Sequence, residues 1–417
     1  MGQILDKPIT EKYNESNCRQ GIRYGLSSMQ GWRPSMEDSH SALLSIPTIG
    51  NNISWFAVFD GHNGSNISSH CSSHLLEAVT HNKTFVEAVE KQMQLTAEEF
   101  KKKVTDGIIS AFLQLDKKMQ NGQENVMKNP KIPQKSSGGS TAICAFITDK
   151  YIIICNCGDS RGVLGGRDVT CGSSYHASRP ILTTTDHKPA EPIETKRIEE
   201  AGGHVYNNSI NGHLAVSRAL GDFEYKNSPS FIADLFSWAR KPKPQLLIAE
   251  PDVYIKQRDP MVDEFVVLAC DGIWDVMSNE EVVEFISSRM KITDNLEIIG
   301  NEVVDACLGK GSKDNLSILI IAFPEAPKLD EEAQKKDKAL VSLIQKKIEK
   351  LVSVSNCFPP FIGPSICYDY IVEILYKEEL PDLPPGGGLY SKRQFMLDIY
   401  DAACMKNHED LSSADNK

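Results

Sequence analysis

The sequence predicts a layered α/β sandwich, in which antiparallel β-sheets are covered by long helices. Short apolar runs separated by Gly, Asn and Asp indicate buried strands through roughly the first 324 residues. Two such runs, residues 141–147 and 151–156, are joined by Asp149 and Lys150, which predicts a hairpin and therefore antiparallel pairing. Apolar residues at helical spacing over 97–119 predict a long amphipathic helix. Together these features favour a sandwich over a doubly wound parallel sheet.

Several other elements can be placed from local signals. Ser278 and Glu281 form a capping box, which predicts a helix from there to Met290. A second helix is expected over residues 66–81. Strands are predicted at residues 55–59, 265–270 and 316–323, and each lies next to an acidic residue in the chain.

The composition changes after Pro324. Residues 329–352 are rich in Lys, Glu and Asp and carry one apolar stripe, which predicts an amphipathic helix. Two shorter helical patches, 368–377 and 393–403, follow it and are separated by a loop rich in Pro and Gly. We therefore expect four parts: an N-terminal arm at 1–20, a catalytic domain at 21–324, a helical subdomain at 325–405 and a disordered tail at 406–417.

Composition excludes several classes of protein. The net charge of -11 argues against nucleic-acid binding, which needs a basic surface. No stretch approaches 18 apolar residues, which argues against a membrane span. The 11 cysteines lie mostly in apolar runs, and no second pair joins Cys155 and Cys157 at zinc-finger spacing. We expect reduced thiols in an intracellular compartment.

Three carboxylates stand at strand ends, at Asp60, Asp271 and Asp314. A carboxylate there is held by a rigid sheet yet opens onto a cleft, and oxygen ligands suit Mg²⁺ or Mn²⁺. The glycine that follows Asp60, Gly61, would let a backbone carbonyl approach a metal ion closely. An isolated Asp-Gly is more often a turn, so the metal hypothesis depends on the neighbouring residues.

Those neighbours favour phosphate chemistry. Arg33 is suited to bidentate phosphate recognition, although a lone Arg is more often a surface charge. His62 follows Asp60 closely and could protonate a leaving alkoxide, although a lone His is more often structural. Further carboxylates occur near these strand ends, at Glu37, Asp38, Asp159 and Asp275.

Taken in chain order, the segments that carry these residues resemble those of the metal-dependent Ser/Thr protein phosphatases, the PPM family, also called type 2C. The resemblance covers roughly residues 20–324, and the segment 215–222 is especially distinctive. The tail resembles the three-helix extension of the vertebrate alpha and beta members. The family fold implies a four-layer α-β-β-α sandwich of two antiparallel sheets flanked by helices, plus a C-terminal three-helix subdomain.

The resemblance implies two Mg²⁺ or Mn²⁺ ions per active site and a weaker third. Asp60 would bridge the two ions, and the carbonyl of Gly61 would bind one of them. The remaining metal roles are carried over by position: Asp271 and Asp314 would bind the other ion, Glu37 and Asp38 would hold metal-bound waters, and Asp159, Asp271 and Asp275 would bind the third.

The family mechanism is direct attack of a metal-bridging hydroxide on phosphorus. By resemblance, Arg33 would bind the substrate phosphate and His62 would act as the general acid. Residues 183–226 correspond to a flap beside the active site, where Arg197 would contact the peptide. The expected partners are phosphorylated serine or threonine proteins, and the expected state is a monomer in the cytoplasm and nucleus.

Three segments leave questions open. Gly2 is a predicted myristoylation site by resemblance, despite Asp6 where the motif has Ser or Thr, and would give weak, reversible membrane association. The alternative is an unmodified, disordered start, and mass spectrometry of the N-terminal peptide distinguishes the two. Residues 168–178 and 229–245 look longer than the family pattern and predict either a docking site or loops packed on their own domain.

Two other functions are alternatives to an active phosphatase. A pseudophosphatase would bind partners without turnover, but it would be expected to lack metal carboxylates that are all present here. Another metallohydrolase, such as a phosphodiesterase, is disfavoured by the ordered series of matching segments.

Overall fold

The computed structural model describes residues 4–127, 138–167, 178–226, 244–354 and 364–414. Gly2 lies outside these residues, as do the predicted insertions at 168–178 and 229–245 except for their last one or two positions. Among the described helices, none combines the length and the apolar character that crossing a membrane requires.

One antiparallel sheet has six strands and is called sheet A. Its strands are β1 (Ile9–Arg19), β2 (Ile22–Gly31), β9 (Arg161–Arg167), β10 (Ser178–Thr183), β15 (Asp263–Ala269) and β16 (Leu316–Ala322). They are ordered β1-β2-β16-β15-β9-β10. Most of the segment predicted as an N-terminal arm, residues 1–20, forms the edge strand β1, paired with β2. Its polar, largely exposed side chains do not show the apolar pattern from which a strand is predicted.

A second antiparallel sheet, sheet B, has five strands. These are β3 (Ser39–Leu43), β4 (Ser54–Phe59), β7 (Ala142–Ile147), β8 (Tyr151–Cys157) and β14 (Asp252–Gln257), in the order β14-β8-β7-β4-β3. The predicted hairpin is confirmed as β7 and β8, in which Ile147 pairs with Ile152.

Short strands lie beside the two sheets. A three-stranded ribbon is formed by β5 (Gly61–His62), β6 (Gly139–Ser140) and β13 (Leu220–Gly221), with β6 in the middle. A small hairpin consists of β11 (Val205–Tyr206) and β12 (Ser209–Ile210).

Helices cover the outer faces of both sheets. Sheet B carries α1 (Asn66–Thr80), α2 (Lys83–Glu90) and α3 (Ala97–Met127), and sheet A carries α6 (Asp271–Trp274), α7 (Asn279–Met290) and α8 (Leu296–Gly309). The helices α4 (Pro192–Glu200) and α5 (Phe223–Lys226) lie in the flap segment. The capping box predicted at Ser278 and Glu281 is confirmed at the start of α7.

The two sheets face each other across an apolar layer. Leu26, Leu268 and Leu319 of sheet A are fully buried there with Phe56 and Ile154 of sheet B. Separate apolar layers lie between each sheet and its helices. The two sheets and their two helical layers make four layers in all, which confirms the predicted α-β-β-α sandwich.

A helical subdomain follows the sandwich. It contains α9 (Glu331–Val354), α10 (Pro364–Lys377), a 3-10 helix (Gly388–Lys392) and α11 (Arg393–Ala414) around their own apolar core. The helix α11 extends to Ala414, into the segment predicted as a tail from residue 406. No Gly or Pro occurs between 406 and 414 to end the helix.

Candidate active site

The three predicted carboxylates meet at one end of the sandwich. Asp60 directly follows β4 of sheet B, whereas Asp271 and Asp314 lie at the adjoining ends of the antiparallel strands β15 and β16 of sheet A. Burial and the nearby charges of Asp271 and Asp38 raise the pKa of Asp60 well above its ordinary value. This crowding of negative charge is costly unless a cation neutralises it.

The same repulsion acts on the next carboxylate. Burial, followed by the charges of Asp159, Asp314 and Asp275, raises the pKa of Asp271 well above its usual range. The sequence predicted a cluster, and the structure brings these groups within electrostatic reach of one another.

Asp38 tests whether a metal ion fits this cluster. Its Oδ2 accepts a hydrogen bond from Ser317 Oγ at 2.6 Å, whereas its buried Oδ1 has no hydrogen-bond partner within the described ranges. Burial raises the pKa of Asp38 to about 7. Potential ligand atoms of Asp38, Asp60 and Cys270 lie within 4.8 Å of one another. An unpartnered carboxylate oxygen in a crowded anionic cluster fits a hard divalent cation.

Cys270 belongs to that cluster geometrically but not chemically. Its Sγ donates to the carbonyl of Asn315 at 3.4 Å and accepts from the Ser317 amide at 3.2 Å. Burial raises the pKa of the thiol well above its ordinary value. A neutral thiol already engaged on both sides leaves the carboxylate oxygens as the metal donors, and such donors favour Mg²⁺ or Mn²⁺.

Arg33 lies at the edge of the cluster. Its Nη2 is 2.5 Å from Asp314 Oδ2, and 40% of its side chain is exposed. Burial opposes the positive charge, but the Asp314 hydrogen bond raises the pKa of Arg33 overall. The guanidinium is thus charged, partly solvated and directed toward the carboxylates.

Asn315, which the sequence reasoning did not assign a role, holds the loop that carries Arg33. Its side-chain amide donates to the carbonyls of Gln30 and Ser35 at 2.8 and 3.1 Å. Its Oδ1 accepts from the backbone amide of Glu37 at 2.8 Å. One buried side chain therefore fixes both ends of the segment from Gln30 to Glu37, which contains Arg33.

Gly61 occupies a position that no other residue fits. A Cβ there would lie 2.3 Å from the carbonyl oxygen of Glu37 and 2.8 Å from Ser68 Oγ. Ser68 Oγ in turn donates to that carbonyl at 2.5 Å. This close approach keeps Glu37 next to the Asp60–His62 segment, as the predicted metal site requires.

His62 contacts a carboxylate that the sequence reasoning missed. Its Nε2 is 2.5 Å from Oδ2 of Asp222, a residue only 2% exposed. Burial opposes protonation of the ring, but the Asp222 hydrogen bond raises the pKa of His62 overall. A Cβ at Gly139 would lie 1.9 Å from that same Asp222 oxygen, so the pair depends on a glycine. Asp222 is the last residue of the distinctive segment 215–222, and membership of that segment is the sequence feature that could have marked it as a site residue.

A buried ion pair supports the turn that carries Asp222. Asp116 Oδ1 accepts from the Gly221 amide at 2.8 Å, and both Asp116 oxygens accept from Lys226 Nζ at 2.8 Å. Asp222 has a backbone φ of 47°, in the left-handed region that costs strain for a residue with a side chain. The surrounding bonds hold it there.

Asp159 and Asp275 form an outer group with Asp271. Asp159 follows β8 and is buried, whereas Asp275 ends α6 and is exposed. Lys188 Nζ lies 2.7 Å from Asp159 Oδ2, a contact that the sequence reasoning did not predict.

Arg197 is engaged by neighbouring backbone carbonyls and one carboxylate. Its guanidinium donates to the carbonyls of Gln245, Leu246 and Ser217 and to Glu194 Oε2, at 2.6 to 2.9 Å. Its side chain is 16% exposed. The contact of Arg197 with a bound peptide stays a prediction; in this structure the guanidinium binds flap residues together with Gln245 and Leu246.

Comparison with known proteins agrees with this geometry. A family model described as protein phosphatase 2C matches residues 22–316, and its C-terminal domain model matches residues 317–401. Protein phosphatase 1B of Mus musculus is 43% identical over 96% of this chain and 94% of its own length. Protein phosphatase 1A of Bos taurus is 40% identical over 99% of this chain and 98% of its own.

Solved structures support the fold. A serine-threonine phosphatase 2C from Toxoplasma gondii superposes with a TM-score of 0.57 at 19% identity, covering 75% of this chain and 99% of that one. A phosphatase from a pathogenic strain of the same organism gives 0.55 at 24% identity, covering 76% and 96%. With the carboxylate cluster at the end of two facing antiparallel sheets, these matches show that the chain belongs to the protein phosphatase 2C family of protein serine/threonine phosphatases.

Proposed function

We propose that the chain removes phosphate from serine and threonine side chains of proteins by a mechanism that needs two bound divalent cations, Mg²⁺ or Mn²⁺. The observation that carries the proposal is the convergence of Asp60, Asp271 and Asp314, with an unpartnered oxygen of Asp38 beside them in the described structure. Such a cluster is poorly stable without cations and well suited to bind them.

Specific groups would hold these ions. Asp60, Asp271, Asp314 and the carbonyl of Gly61 would be direct ligands, and Glu37 and Asp38 would hold their waters. When bound, the ions supply positive charge that activates a water molecule and neutralises phosphate oxygens.

Arg33 would bind the phosphate of the substrate. Its partial exposure and its contact with Asp314 place a charged guanidinium at the rim of the cluster. A guanidinium matches two phosphate oxygens at once, which both orients the phosphoryl group and stabilises its charge. Asn315 supports this role by fixing the Arg33 loop.

His62 would protonate the departing serine or threonine oxygen. Asp222 engages Nε2 of the ring, so Nδ1 is the nitrogen that would donate the proton. Because Asp222 raises the pKa of His62, more of the imidazole stays protonated near neutral pH than in an isolated histidine.

Replacing Asp60 by Asn tests the proposal. We expect Asp60→Asn to reduce phosphate release from a phosphothreonine peptide at least about 100-fold, because it removes charge from the group that would hold both ions. The assay is run with Mn²⁺ or Mg²⁺, with and without EDTA.

Asp106→Asn is the matched control, since this exposed residue on α3 undergoes the same chemical change far from the cluster. Wild-type release that survives EDTA, or an Asp60→Asn variant as active as Asp106→Asn, would overturn the mechanism. A wild-type protein that folds and binds Mn²⁺ but releases no phosphate would instead support the pseudophosphatase alternative.

A further inference from the structure

The outer carboxylate group, defined as Asp159, Asp271 and Asp275, is neutralised in part by a cation of the chain itself. Lys188 Nζ lies 2.7 Å from Asp159 Oδ2, and Asp271 and Asp275 also act electrostatically on the ammonium. Asp159 is 4% exposed, so water screens this attraction only weakly. One lysine thus faces three carboxylates.

The backbone on both sides fixes this arrangement. The His187 amide donates to the Gly158 carbonyl at 2.9 Å, and the Gly158 amide donates to His187 Nδ1 at 3.1 Å. Each of these two residues immediately precedes a member of the Lys188–Asp159 pair. These bonds hold the backbones of Lys188 and Asp159 next to each other. The contact between the ammonium and the carboxylate therefore does not depend on a freely moving loop.

The other nearby cation is committed elsewhere. Arg161 donates through Nε and Nη2 to Asp186 at 2.9 and 2.8 Å, and through Nη1 to Asn279 at 2.8 Å. Its guanidinium also lies over the ring of Trp274. Lys188 differs, because 25% of its side chain is exposed and its flexible stem can withdraw into solvent.

We propose that Lys188 is a tethered counter-ion, which competes with a divalent cation for the outer carboxylate group and thereby sets the metal concentration at which that group fills. An ammonium and a divalent cation held together against Asp159 would repel each other, so the two compete. Each binding event would therefore weaken the Lys188–Asp159 ion pair or displace the ammonium from it. This inference rests on the proposed metal-dependent function.

The test counts bound Mn²⁺ by the electron paramagnetic resonance signal of the free ion, with the full-length protein and without substrate. In wild type we expect a tight class of sites and a weaker class. Lys188→Met should tighten the weaker class about tenfold and leave the tight class unchanged, because the competing charge is gone while a similar chain length remains.

Lys91→Met is the matched control, because it removes the same charge from an exposed position at the end of α2. Adding Asp159→Asn to Lys188→Met should abolish the weaker class, which assigns that class to the outer group. Lys188→Gln gives the same reading if the Met variant does not fold.

An unchanged or weakened weaker class in the folded Lys188 variants would overturn the inference and leave Lys188 as a structural ion pair. Absence of the weaker class from both wild type and variants would also overturn it. Absence of the tight class in wild type would instead refute the proposed function, so the two failures are distinguishable.

Discussion

Asp222 illustrates how one residue can determine the chemistry of another. It is buried, adopts a left-handed backbone conformation and engages His62, while Gly139 leaves the space in which their side chains meet. Placing a strained residue at such a point is costly, and the hydrogen bonds around Gly221 and Asp116 offset that cost. We infer that the turn exists to orient the imidazole of His62.

Asp222→Asn should reveal this role through the leaving group. A serine or threonine alkoxide needs a proton to depart, whereas p-nitrophenolate does not. We therefore expect turnover of a phosphothreonine peptide to fall about 100-fold, and turnover of p-nitrophenyl phosphate to fall far less. Parallel steady-state assays with saturating Mn²⁺ measure the two losses.

His62→Gln should give the same pattern, and Asp106→Asn should change neither substrate. Equal losses on both substrates would mean that Asp222 only supports the fold.

Individual site residues could be predicted from the sequence where a local pattern marks them. Asp60, Asp271 and Asp314 each stand beside an apolar strand, so a cleft could be expected there. Asp222 meets His62 across 160 positions, and no local pattern predicts such a pair. The hydrogen bonds of Arg197 likewise have no local signal, because most of them are to backbone carbonyls that folding brings near it.

A buried ionic cluster, beside an apolar one, holds the flap segment around α4. Glu194 is 3% exposed and accepts from Arg218 at 2.7 Å, from Arg197 at 2.6 Å and from Ser217 at 2.7 Å. Burial alone would raise the pKa of this carboxyl, but the two guanidinium groups outweigh it and lower the pKa to about 2.

This shift predicts how the segment responds to acid. Because the folded pKa lies below the ordinary value of 4.5, the stabilisation is fully present above pH 4.5. It is lost as the pH falls from there toward 2. Hydrogen exchange measured by mass spectrometry, corrected for the intrinsic rate at each pH, should show residues 192–221 losing protection across that window.

Glu194→Gln should remove the pH dependence and lower the local free energy of opening by about 3 kcal/mol at neutral pH, since it leaves two largely buried guanidinium groups under-compensated. Glu191→Gln, at the exposed N-cap of α4, is the control. A protection profile for Glu194→Gln that still follows pH like wild type would contradict this account.

Elements were predictable where their signals are local. The helix α7 begins at a capping box, and β7 and β8 are apolar runs joined by a tight turn, so both are evident from sequence. The strand β1 was missed because an exposed edge strand buries few apolar side chains. Its pairing with β2 is a tertiary contact that compensates for a weak local signal.

The helical subdomain is joined to the sandwich by a buried ionic network. Asp337 of α9 accepts from Arg289 of α7 at 2.7 Å and from Lys392 of the 3-10 helix at 2.8 Å. Glu302 of α8 also accepts from Arg289, at 2.5 and 2.9 Å. Arg289 and Lys392 are 3% and 4% exposed, so the network is largely shielded from water.

Asp337→Asn should loosen this attachment. The substitution leaves two buried cations with too little negative charge, which typically costs about 3 kcal/mol. We expect earlier unfolding in urea, and faster proteolysis between the sandwich and α9 before the sandwich itself opens. The phosphatase activity of the intact protein should change little, because the network is remote from the carboxylate cluster.

Asp369→Asn, an exposed change on α10, is the control. A variant that unfolds in one step at the wild-type urea concentration would show that apolar contacts alone hold the subdomain.

The placement of the site at the end of two facing sheets has a mechanical consequence. Asp60 belongs to one sheet and Asp271 and Asp314 to the other, and the interior between the sheets is apolar. Any cation shared by these carboxylates would link sheet A to sheet B. Metal binding and folding would then be coupled, so that tighter cation binding would also raise the free energy of unfolding.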